Sequence, residues 1–377
     1  MDPERPARAA LDRRGFLAGA GAALASLAAG PFAAALAESP DAPRFLAAAG
    51  EGEGYAALVL DAGLKPQARA ASAQRLHGFD AQGGRAVAVG RRPGHVALVL
   101  DPLTGRGLGD FAPAPGRVFS GHGRFSPDGT VFLANEIERP EGGRGMGRGT
   151  VSLRRPDAGF AIEAEWPSGG DGPHDLFFAP FGLVVANGGI EPNTPEAKDA
   201  ERAGSSLAVL DPQTGAARAE GRLAEPLASL SLRHLALSRE GALAVAAQDL
   251  LADGEARPLL FRVSAAGALT AFEAPDAEWR ALRGYVGSLA YDRSGRYLAC
   301  ASPRGGRVSV FRAEGRFVGA VPLADGCALA PAGAPGRFVA GGGYGQTLLI
   351  GVEDERVGVL ARGAGGPRFD NHFLALR

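Results

Sequence analysis

Short hydrophobic segments of four or five residues recur along the chain after residue 40, and a glycine-containing turn lies close to most of them. Typical segments lie at 86–89, 131–135, 183–187, 243–246 and 297–300. Runs this short, bounded by turn residues, indicate buried strands rather than helices. No long stretch with a 3.6-residue period appears in the same part of the chain. The pattern therefore predicts an all-β protein and excludes a helical repeat.

These segments belong to a larger repeat of four strands. Its clearest copy begins at His122, continues through a turn at 126–129 into a strand at 131–135, and ends with strands at 150–153 and 160–166. Further copies begin near His77, His174, His234, Val286 and Gly326. Repeats of this size and strand content are typical of propeller blades.

The two ends of the chain supply one more copy. Residues 370–376 resemble a first strand alone, whereas residues 45–60 supply later strands without a first one. Pairing them closes a ring and leaves no exposed sheet edge. Divided by seven, residues 38–377 give about 49 residues per unit, close to the size of a four-stranded blade. We predict a single seven-bladed β-propeller over 38–377; an eight-bladed ring or a pair of β-sandwiches is the structural alternative.

The first 37 residues resemble an export signal. Arg13 and Arg14, followed by Phe16, resemble the twin-arginine motif, and a weakly apolar stretch ends at 35–37. A membrane anchor needs roughly 20 strongly apolar residues, and residues 16–30 are fewer and diluted by glycine. We therefore expect cleavage after Ala37 and a periplasmic product with no transmembrane segment in the mature chain.

Composition removes several classes of function. The 40 basic and 41 acidic residues nearly cancel, so no overall positive field favours nucleic acid. With two cysteines, Cys300 and Cys327, the chain is neither a disulfide scaffold nor a four-cysteine zinc module. One disulfide between them remains open at this stage.

Five of the six histidines occupy one position of the repeat, at the start of the first strand. They are His77, His122, His174, His234 and His372. In the two remaining units the position falls on Ser288 and on Gly326 or Cys327, and His95 lies outside the pattern. First strands line the central channel of a propeller, so we expect these five residues to ring one mouth of the channel and to form a metal site.

Other polar residues are predicted to lie at the same mouth. Second strands end at the face where first strands begin, together with the long loops 137–149 and 188–205. The candidate cofactor-binding residues are Asn135, Glu136, Asn187, Arg233, Gln248 and Asn371. Imidazole and carboxylate groups are ligands for iron, copper and zinc.

Two interpretations of the histidines follow. As metal ligands, two or three of them reach one ion, because Zn–N bonds are only about 2.0–2.1 Å long; binding then fails below about pH 6, where imidazole takes up a proton. As scaffold, each histidine forms a hydrogen bond within its own blade and has been copied by duplication.

Several motifs resemble one family: Gly121-His122-Gly123, Gly172-Pro173-His174, the segment 185–190, Leu232-Arg233-His234 and Asp370-Asn371-His372. They resemble the bacterial twin-arginine-exported proteins of domain-of-unknown-function family 1513, over nearly all of the mature chain. The resemblance implies a periplasmic propeller, often encoded beside imelysin-like and haem-peroxidase-like proteins of iron uptake. It implies no reaction.

Two classes of function remain. The first is a non-catalytic binding or assembly protein of an iron-acquisition system, which uses the histidine-rich mouth for a metal or a partner. The alternative is a propeller enzyme, either a metal-dependent hydrolase or lactonase or an oxidoreductase, with its site at the same mouth. The sequence contains no G-x-S-x-G, H-E-x-x-H or C-x-x-C-H motif, and it favours the first class.

Overall fold

Seven antiparallel four-stranded sheets make up the structure, a computed structural model that describes residues 44–52, 54–139, 147–189, 204–251 and 253–376. Each sheet is a blade, so the predicted seven-bladed, all-β propeller is confirmed. The expected export signal at 1–37 lies outside the described residues. So do 140–146 and 190–203, which are parts of the two loops expected at the mouth.

The strands of each blade are named first to fourth from the channel outward. The first strands are β4 (Leu76–Gln82), β8 (Arg117–Phe125), β12 (Pro173–Ala179), β16 (Leu230–Leu237), β20 (Ser288–Tyr291), β24 (Gly326–Pro331) and β28 (Arg368–Ala375). The second strands are β1 (Phe45–Glu51), β5 (Arg85–Gly90), β9 (Phe132–Glu138), β13 (Gly182–Asn187), β17 (Leu243–Asp249), β21 (Tyr297–Ser302) and β25 (Arg337–Gly342). Each first strand packs beside the first strand of the next blade, and this ring surrounds the channel.

The outer half of each blade is formed by shorter or more exposed strands. The third strands are β2 (Gly54–Leu60), β6 (Ala97–Leu100), β10 (Arg148–Arg155), β14 (Ser206–Leu210), β18 (Leu260–Val263), β22 (Arg307–Arg312) and β26 (Thr347–Glu353). The fourth strands are β3 (Pro66–Ser72), β7 (Gly107–Phe111), β11 (Ala161–Asp171), β15 (Ala217–Gly221), β19 (Leu269–Ala271), β23 (Phe317–Pro322) and β27 (Arg356–Gly363). A six-residue helix, α1 (Asp276–Ala281), lies between β19 and β20.

The ring closes as predicted. β28 pairs antiparallel with β1, and Phe373 lies opposite Ala47, so the closing blade has the order β28-β1-β2-β3. This pairing satisfies the inner edge of β1 and removes the open edge that an incomplete ring would expose.

Large side chains fill the spaces between neighbouring blades. Between the blades of β16 and β20, the ring of Trp279 in α1 stacks on that of Phe311, with centroids 5.6 Å apart. The ring of Phe272 contacts Phe311 edge-on. Burying one such aromatic side chain contributes on the order of 1.5–3 kcal/mol. Because the second and third strands are apolar on both faces, each sheet packs against its neighbours on either side.

Two aspartates also connect neighbouring blades. Asp80 accepts a hydrogen bond from the backbone N–H of Phe125 at 2.7 Å, and Asp175 accepts one from that of Leu235 at 3.0 Å. These bonds fix the height of one first strand relative to the next. They therefore hold the repeat positions of adjacent blades at a common level in the channel.

Within the described ranges, no helix has the length and apolar character needed to cross a membrane.

Candidate metal centre

Six of the seven first strands have an irregular register at the position that holds histidine in the repeat. In β4, Leu76 pairs with Gly90 and Phe79 with Ala88, so β4 has one residue more than β5 between the two pairs. Such a β-bulge leaves a residue unpaired and redirects its side chain. At His372 the backbone adopts a φ of 71°, in the left-handed region. The bulges explain how these side chains leave the plane of their sheets.

The five histidines of the repeat position meet inside the channel. Ring centroids of the contacting pairs lie 4.6–5.8 Å apart. Ligand nitrogens of four of them, His77, His122, His234 and His372, all lie within 4.8 Å of one another. The fifth, His174, has its ring 4.6 Å from that of His234. The sequence predicted two or three histidines around one ion, and the structure brings four together with a fifth beside them.

The spacing of these four nitrogens is close to that of a metal site. In a tetrahedral site with Zn–N bonds of about 2.0–2.1 Å, the four nitrogens are about 3.4 Å apart. In this cluster the nitrogens are up to 4.8 Å apart. Side-chain movements of roughly 1 Å would bring them to the tetrahedral spacing, and ligand binding commonly moves side chains by such amounts. The donor set therefore fits iron, copper or zinc, the metals that imidazole suits.

The imidazoles are held in their neutral form. His77, His122, His174 and His234 are at most 8% exposed, and His372 is partly buried. Burial lowers the pKa of each of the five well below the ordinary value of 6.5, and nearby positive charges lower it further. For His122 that charge is Arg124. Neutral imidazole offers the lone pair that a metal requires.

Most of the ring nitrogens form no hydrogen bond with any described residue. They are Nδ1 of His77, both nitrogens of His122 and His234, and Nε2 of His174 and His372. Buried polar atoms are nearly always paired, and leaving one unpaired costs about 1–3 kcal/mol. Histidines that served only as scaffold would form hydrogen bonds within their blades. The unpaired nitrogens favour the interpretation of this cluster as a ligand site.

Two glycines allow the imidazoles to approach this closely. A Cβ atom on Gly78 would lie 2.7 Å from Nδ1 of His122, and one on Gly121 would lie 2.7 Å from Cδ2 of His77. Any side chain at either position would displace the ring of the neighbouring blade. Gly78 and Gly121 are thus part of the cluster although they provide no ligand.

Asp175 is the buried carboxylate that contacts the cluster. Its Oδ1 lies 3.3 Å from Nδ1 of His122 and 3.4 Å from a guanidinium nitrogen of Arg124. Burial raises the pKa of this carboxyl group, and the positive charge of Arg124 opposes that rise. The sequence analysis did not select Asp175. The signal available was its position directly after His174, within the same bulge.

A cavity of about 230 Å³ reaches the cluster from one end of the channel. His122 and His372 line its inner end, whereas Arg239 and Arg293 belong to the turns at its outer end. Its lining comes from residues that follow the repeat position in all seven first strands. Access is therefore on the side of the turns between first and second strands. The bulged side chains lie inside the channel, and most of the two loops expected at the histidine-rich mouth, 137–149 and 188–205, lies outside the described residues.

The predicted amides lie on the strands next to the cluster. Asn135 and Asn187 are fully buried at the level of the bulges, on β9 and β13, and Asn187 donates a hydrogen bond to the carbonyl of Ser168 at 3.1 Å. Gln248 is buried on β17, where its backbone bridges to Tyr285. The contacts given for these amides are with their own and neighbouring strands.

The other two predicted residues directly precede histidines of the cluster. Arg233 is buried, and its positive charge lowers the pKa of His174 and His234. Burial and neighbouring imidazoles lower these pKa values more strongly than Arg233 does. The side-chain amide of Asn371 donates to the hydroxyl of Tyr285 at 3.3 Å. Arg233 therefore affects the centre through its charge, and the contact given for Asn371 is with Tyr285.

Glu136 points away from the histidines. Its side chain is fully buried, receives hydrogen bonds from Arg154 and Ser152 at 2.6 Å each, and accepts a third from the backbone N–H of Ala114 at 3.0 Å. Glu136 pairs with Phe119 across the sheet, just outside the bulge, and successive side chains of a strand point to opposite faces. The predicted metal-site carboxylate is thus part of an internal ion pair.

The remaining two positions of the ring carry Ser288 and Cys327. Oγ of Ser288 lies 3.3 Å from Nδ1 of His372, so the serine contacts the cluster from its own blade. Sγ of Cys327 lies 3.2 Å from the carbonyl oxygen of Phe369. Cys300 and Cys327 are both free and buried, so the structure contains no disulfide between them, and burial raises the pKa of both thiols.

Fold and site together define a seven-bladed β-propeller with a buried cluster of imidazoles in its channel. The chain belongs to the family described as protein of unknown function DUF1513, whose sequence model matches residues 70–376. The family resemblance seen in the sequence is thereby confirmed, and no curated protein matches the chain.

Solved structures share the fold at low sequence identity. One similar structure is the hydrazine synthase of Kuenenia stuttgartiensis, with a TM-score of 0.57 and 14% identity over 81% of this chain and 88% of that one. Another is Hsv2 of Kluyvelomyces marxianus, with a TM-score of 0.52 and 12% identity over 82% of this chain and 92% of that one. Identities this low support the propeller architecture alone.

Proposed function

We propose that this protein is a non-catalytic periplasmic metal-binding protein of an iron-acquisition system, and that its channel histidines hold one ion of iron, copper or zinc. The observation that carries the proposal is the group of four ligand nitrogens within 4.8 Å of one another. Their lack of hydrogen-bond partners supports it, because a bound ion would supply the missing interaction.

The number of imidazoles favours binding over catalysis. Catalytic zinc sites in proteins keep three protein ligands and one position open for water or substrate. Here His77, His122, His234 and His372 fill a four-coordinate site, and His174 lies next to them. A centre saturated by protein ligands stores or transfers an ion more readily than it activates water.

Export and partners are proposals that rest on the sequence. Changing Arg13 and Arg14 to lysine should leave uncleaved protein in the cytoplasm, because the export motif depends on both arginines. Normal processing of that variant would contradict the localisation. Co-purification from periplasmic extract with an imelysin-like or haem-peroxidase-like protein is the corresponding test of partnership.

Metal titration tests the central proposal. Chelator-treated protein is titrated with Fe(II), Cu(II) and Zn(II) while its melting temperature and the stoichiometry are measured. A ligand at 100 times its Kd stabilises by about 2.7 kcal/mol, so we expect one of the ions to raise the melting temperature at a 1:1 ratio. Failure of all three ions to shift the wild-type protein would overturn the proposal.

Histidine variants locate the bound ion. His122→Ala and His234→Ala should each weaken binding at least tenfold, since each removes one ligand of the four. His95→Ala is the matched control, because His95 lies outside the cluster and should leave binding unchanged. Equal effects of all three substitutions would show that binding occurs elsewhere.

One observation favours the enzymatic alternative. The cavity of about 230 Å³ reaches His122 and His372 and is large enough for a small molecule. A metal-dependent hydrolase, a lactonase or an oxidoreductase would use this space for substrate. Metal-loaded protein should then hydrolyse small esters or lactones, or oxidise a small donor, and should lose that activity with His122→Ala.

A further inference from the structure

We infer that Asp175 is the counter-charge and positioning residue of the metal centre: its carboxylate orients His122 and neutralises part of the charge of the bound cation. The inference rests on the proposed metal binding. It assigns a role to a residue whose contacts join three of the histidine-bearing strands.

Asp175 contacts one histidine of the cluster directly and lies beside two others along the backbone. In the chain it directly follows His174. Its Oδ1 lies 3.3 Å from Nδ1 of His122, and its Oδ2 accepts a hydrogen bond at 3.0 Å from the backbone N–H that directly follows His234. Its negative charge also acts on His372: burial lowers the pKa of that imidazole, and Asp175 raises it.

Its contact with His122 determines which nitrogen of that ring is available. A metal-bound histidine commonly donates the N–H of its other nitrogen to a carboxylate, which fixes the tautomer and the ring orientation. In His122, Nδ1 faces Asp175 and the backbone of Gly78. The carboxylate lies 3.3 Å from Nδ1 without forming a hydrogen bond to it, and its negative charge favours the tautomer with the proton on Nδ1, which leaves the lone pair on Nε2 for the ion.

The centre also needs a negative charge. The imidazoles are neutral ligands, so a divalent ion bound among them keeps its full charge in a buried environment, which is unfavourable without a counter-charge. Among the described residues, Asp175 is the carboxylate that lies within 4 Å of an imidazole nitrogen of the cluster. At 1% exposure its charge is poorly screened by solvent.

In the absence of a cation, Arg124 pairs with this charge. One guanidinium nitrogen of Arg124 lies 3.4 Å from Oδ1 of Asp175, another donates to the carbonyl of Phe79 at 2.9 Å, and the group lies over the ring of Phe177. The arginine keeps the carboxylate compensated and adds positive charge beside His122. It therefore opposes metal binding, whereas Asp175 promotes it.

Asp175→Asn removes the charge and keeps one of the two oxygens, which can still accept the hydrogen bond from the backbone N–H of Leu235, whereas the bond from the N–H of Leu176 to the other oxygen is lost. We expect the Kd for the metal found in the titration to rise tenfold to a hundredfold, the usual effect of losing such a partner, at unchanged 1:1 stoichiometry. With Cu(II) as the probe, the electron paramagnetic resonance spectrum should also change, because the orientation of His122 changes. A purely structural role would lower the melting temperature of the metal-free protein without altering that spectrum.

Asp80→Asn is the matched control. Asp80 is a partly buried carboxylate of the same cavity, desolvation raises its pKa, and it accepts a backbone hydrogen bond from the next blade, as Asp175 does. The structure gives it no contact with an imidazole of the cluster. If Asp80→Asn weakens metal binding as much as Asp175→Asn, or if Asp175→Asn binds like the wild type, the inference is overturned.

A second variant tests the opposite direction. Arg124→Gln removes the competing positive charge, so it should bind the metal at least threefold more tightly than the wild type. This variant decides the matter if Asp175→Asn does not fold: unchanged or weaker binding by Arg124→Gln would then overturn the inference. A wild-type protein that binds no metal would instead overturn the proposed function, which is a separate and distinguishable result.

Discussion

Two buried polar clusters lie close together along the chain, and they differ in how their atoms are satisfied. Around Glu136, the carboxylate, the guanidinium of Arg154 and the hydroxyl of Ser152 form hydrogen bonds to one another. In the channel, most imidazole nitrogens form none with described residues. Buried polar networks stabilise a fold when every member is satisfied and are costly when it is not. The difference marks the first cluster as structural and favours the proposal that the second binds a ligand.

The largest effect should follow from removing the strand that completes the histidine cluster. Deleting residues 368–377 removes β28, exposes the edge of β1 and opens the ring. We expect aggregation or loss of cooperative unfolding, measured by light scattering and thermal denaturation. His372→Ala, which keeps the strand, should remain folded. A soluble deletion variant with an unchanged melting temperature would contradict the role of β28 in ring closure.

The second largest effect concerns pH. The pKa of each imidazole is lowered in the folded protein, mainly by burial, and returns to about 6.5 on unfolding. The contribution of these neutral imidazoles to the free energy of unfolding is therefore complete above about pH 6.5. It is lost as the pH falls, because the unfolded chain then binds more protons than the folded one. Each histidine contributes about 1.4 kcal/mol per pH unit. The five shifts have the same direction, so their losses add.

Denaturant unfolding of metal-free protein between pH 7.5 and 5 measures this loss. Asp80 and Asp175 act in the opposite sense at lower pH, because burial raises the pKa of both carboxyl groups. His95→Ala is the control and should leave the curve unchanged. A stability that stays constant between pH 7 and 5 would contradict the burial of neutral imidazoles.

The lowered pKa values also revise the expectation from sequence that metal is released below about pH 6, since proton competition in the folded protein begins at a lower pH.

An intermediate effect distinguishes the two clusters directly. Arg154→Met leaves the charge of Glu136 buried without its main partner, which typically costs about 3–5 kcal/mol. Since this cluster makes no described contact with the histidines, metal affinity should not change in protein that remains folded. Calorimetric titration beside chemical denaturation measures both quantities. A parallel loss of metal affinity would show that the clusters are coupled.

The smallest effect is expected for the two cysteines. Cys300 and Cys327 are free and buried, and burial raises the pKa of both thiols, which makes them poor nucleophiles. Reductant should not change the melting temperature, and thiol reagents should label both residues after unfolding but neither before it. A reductant-dependent shift would indicate a disulfide and contradict the structure.

The sequence predicted the architecture well because the repeat is regular. Gly-containing turns at a constant distance after His77, His122 and His234 set the register of the blades, and the lone strand at 370–376 indicated ring closure. Both signals are short-range and can be recognised in a single sequence. Placing five histidines at one position followed from the same regularity.

The depth of the cluster and its partners could not be predicted in the same way. In a regular strand alternate residues face alternate sides, but each bulge changes that phase without a sequence signature that we recognised. Glu136 was placed at the mouth because second strands end there, which gives its level in the blade but not the direction of its side chain; that side chain bonds to Arg154 on β10. Asp175 was missed because its role depends on contacts with two neighbouring blades.

Ring closure also has a consequence for the order of folding. His372 reaches the other imidazoles on a strand whose partner, β1, lies more than 300 residues earlier in the chain. Contacts between such distant segments form late, because bringing the segments together costs chain entropy before any stabilising contact has formed. Intermediates with an open ring contain at most four of the five imidazoles. Since the loss of one ligand should weaken binding at least tenfold, a chain whose ring is still open would bind the metal less tightly than the closed propeller.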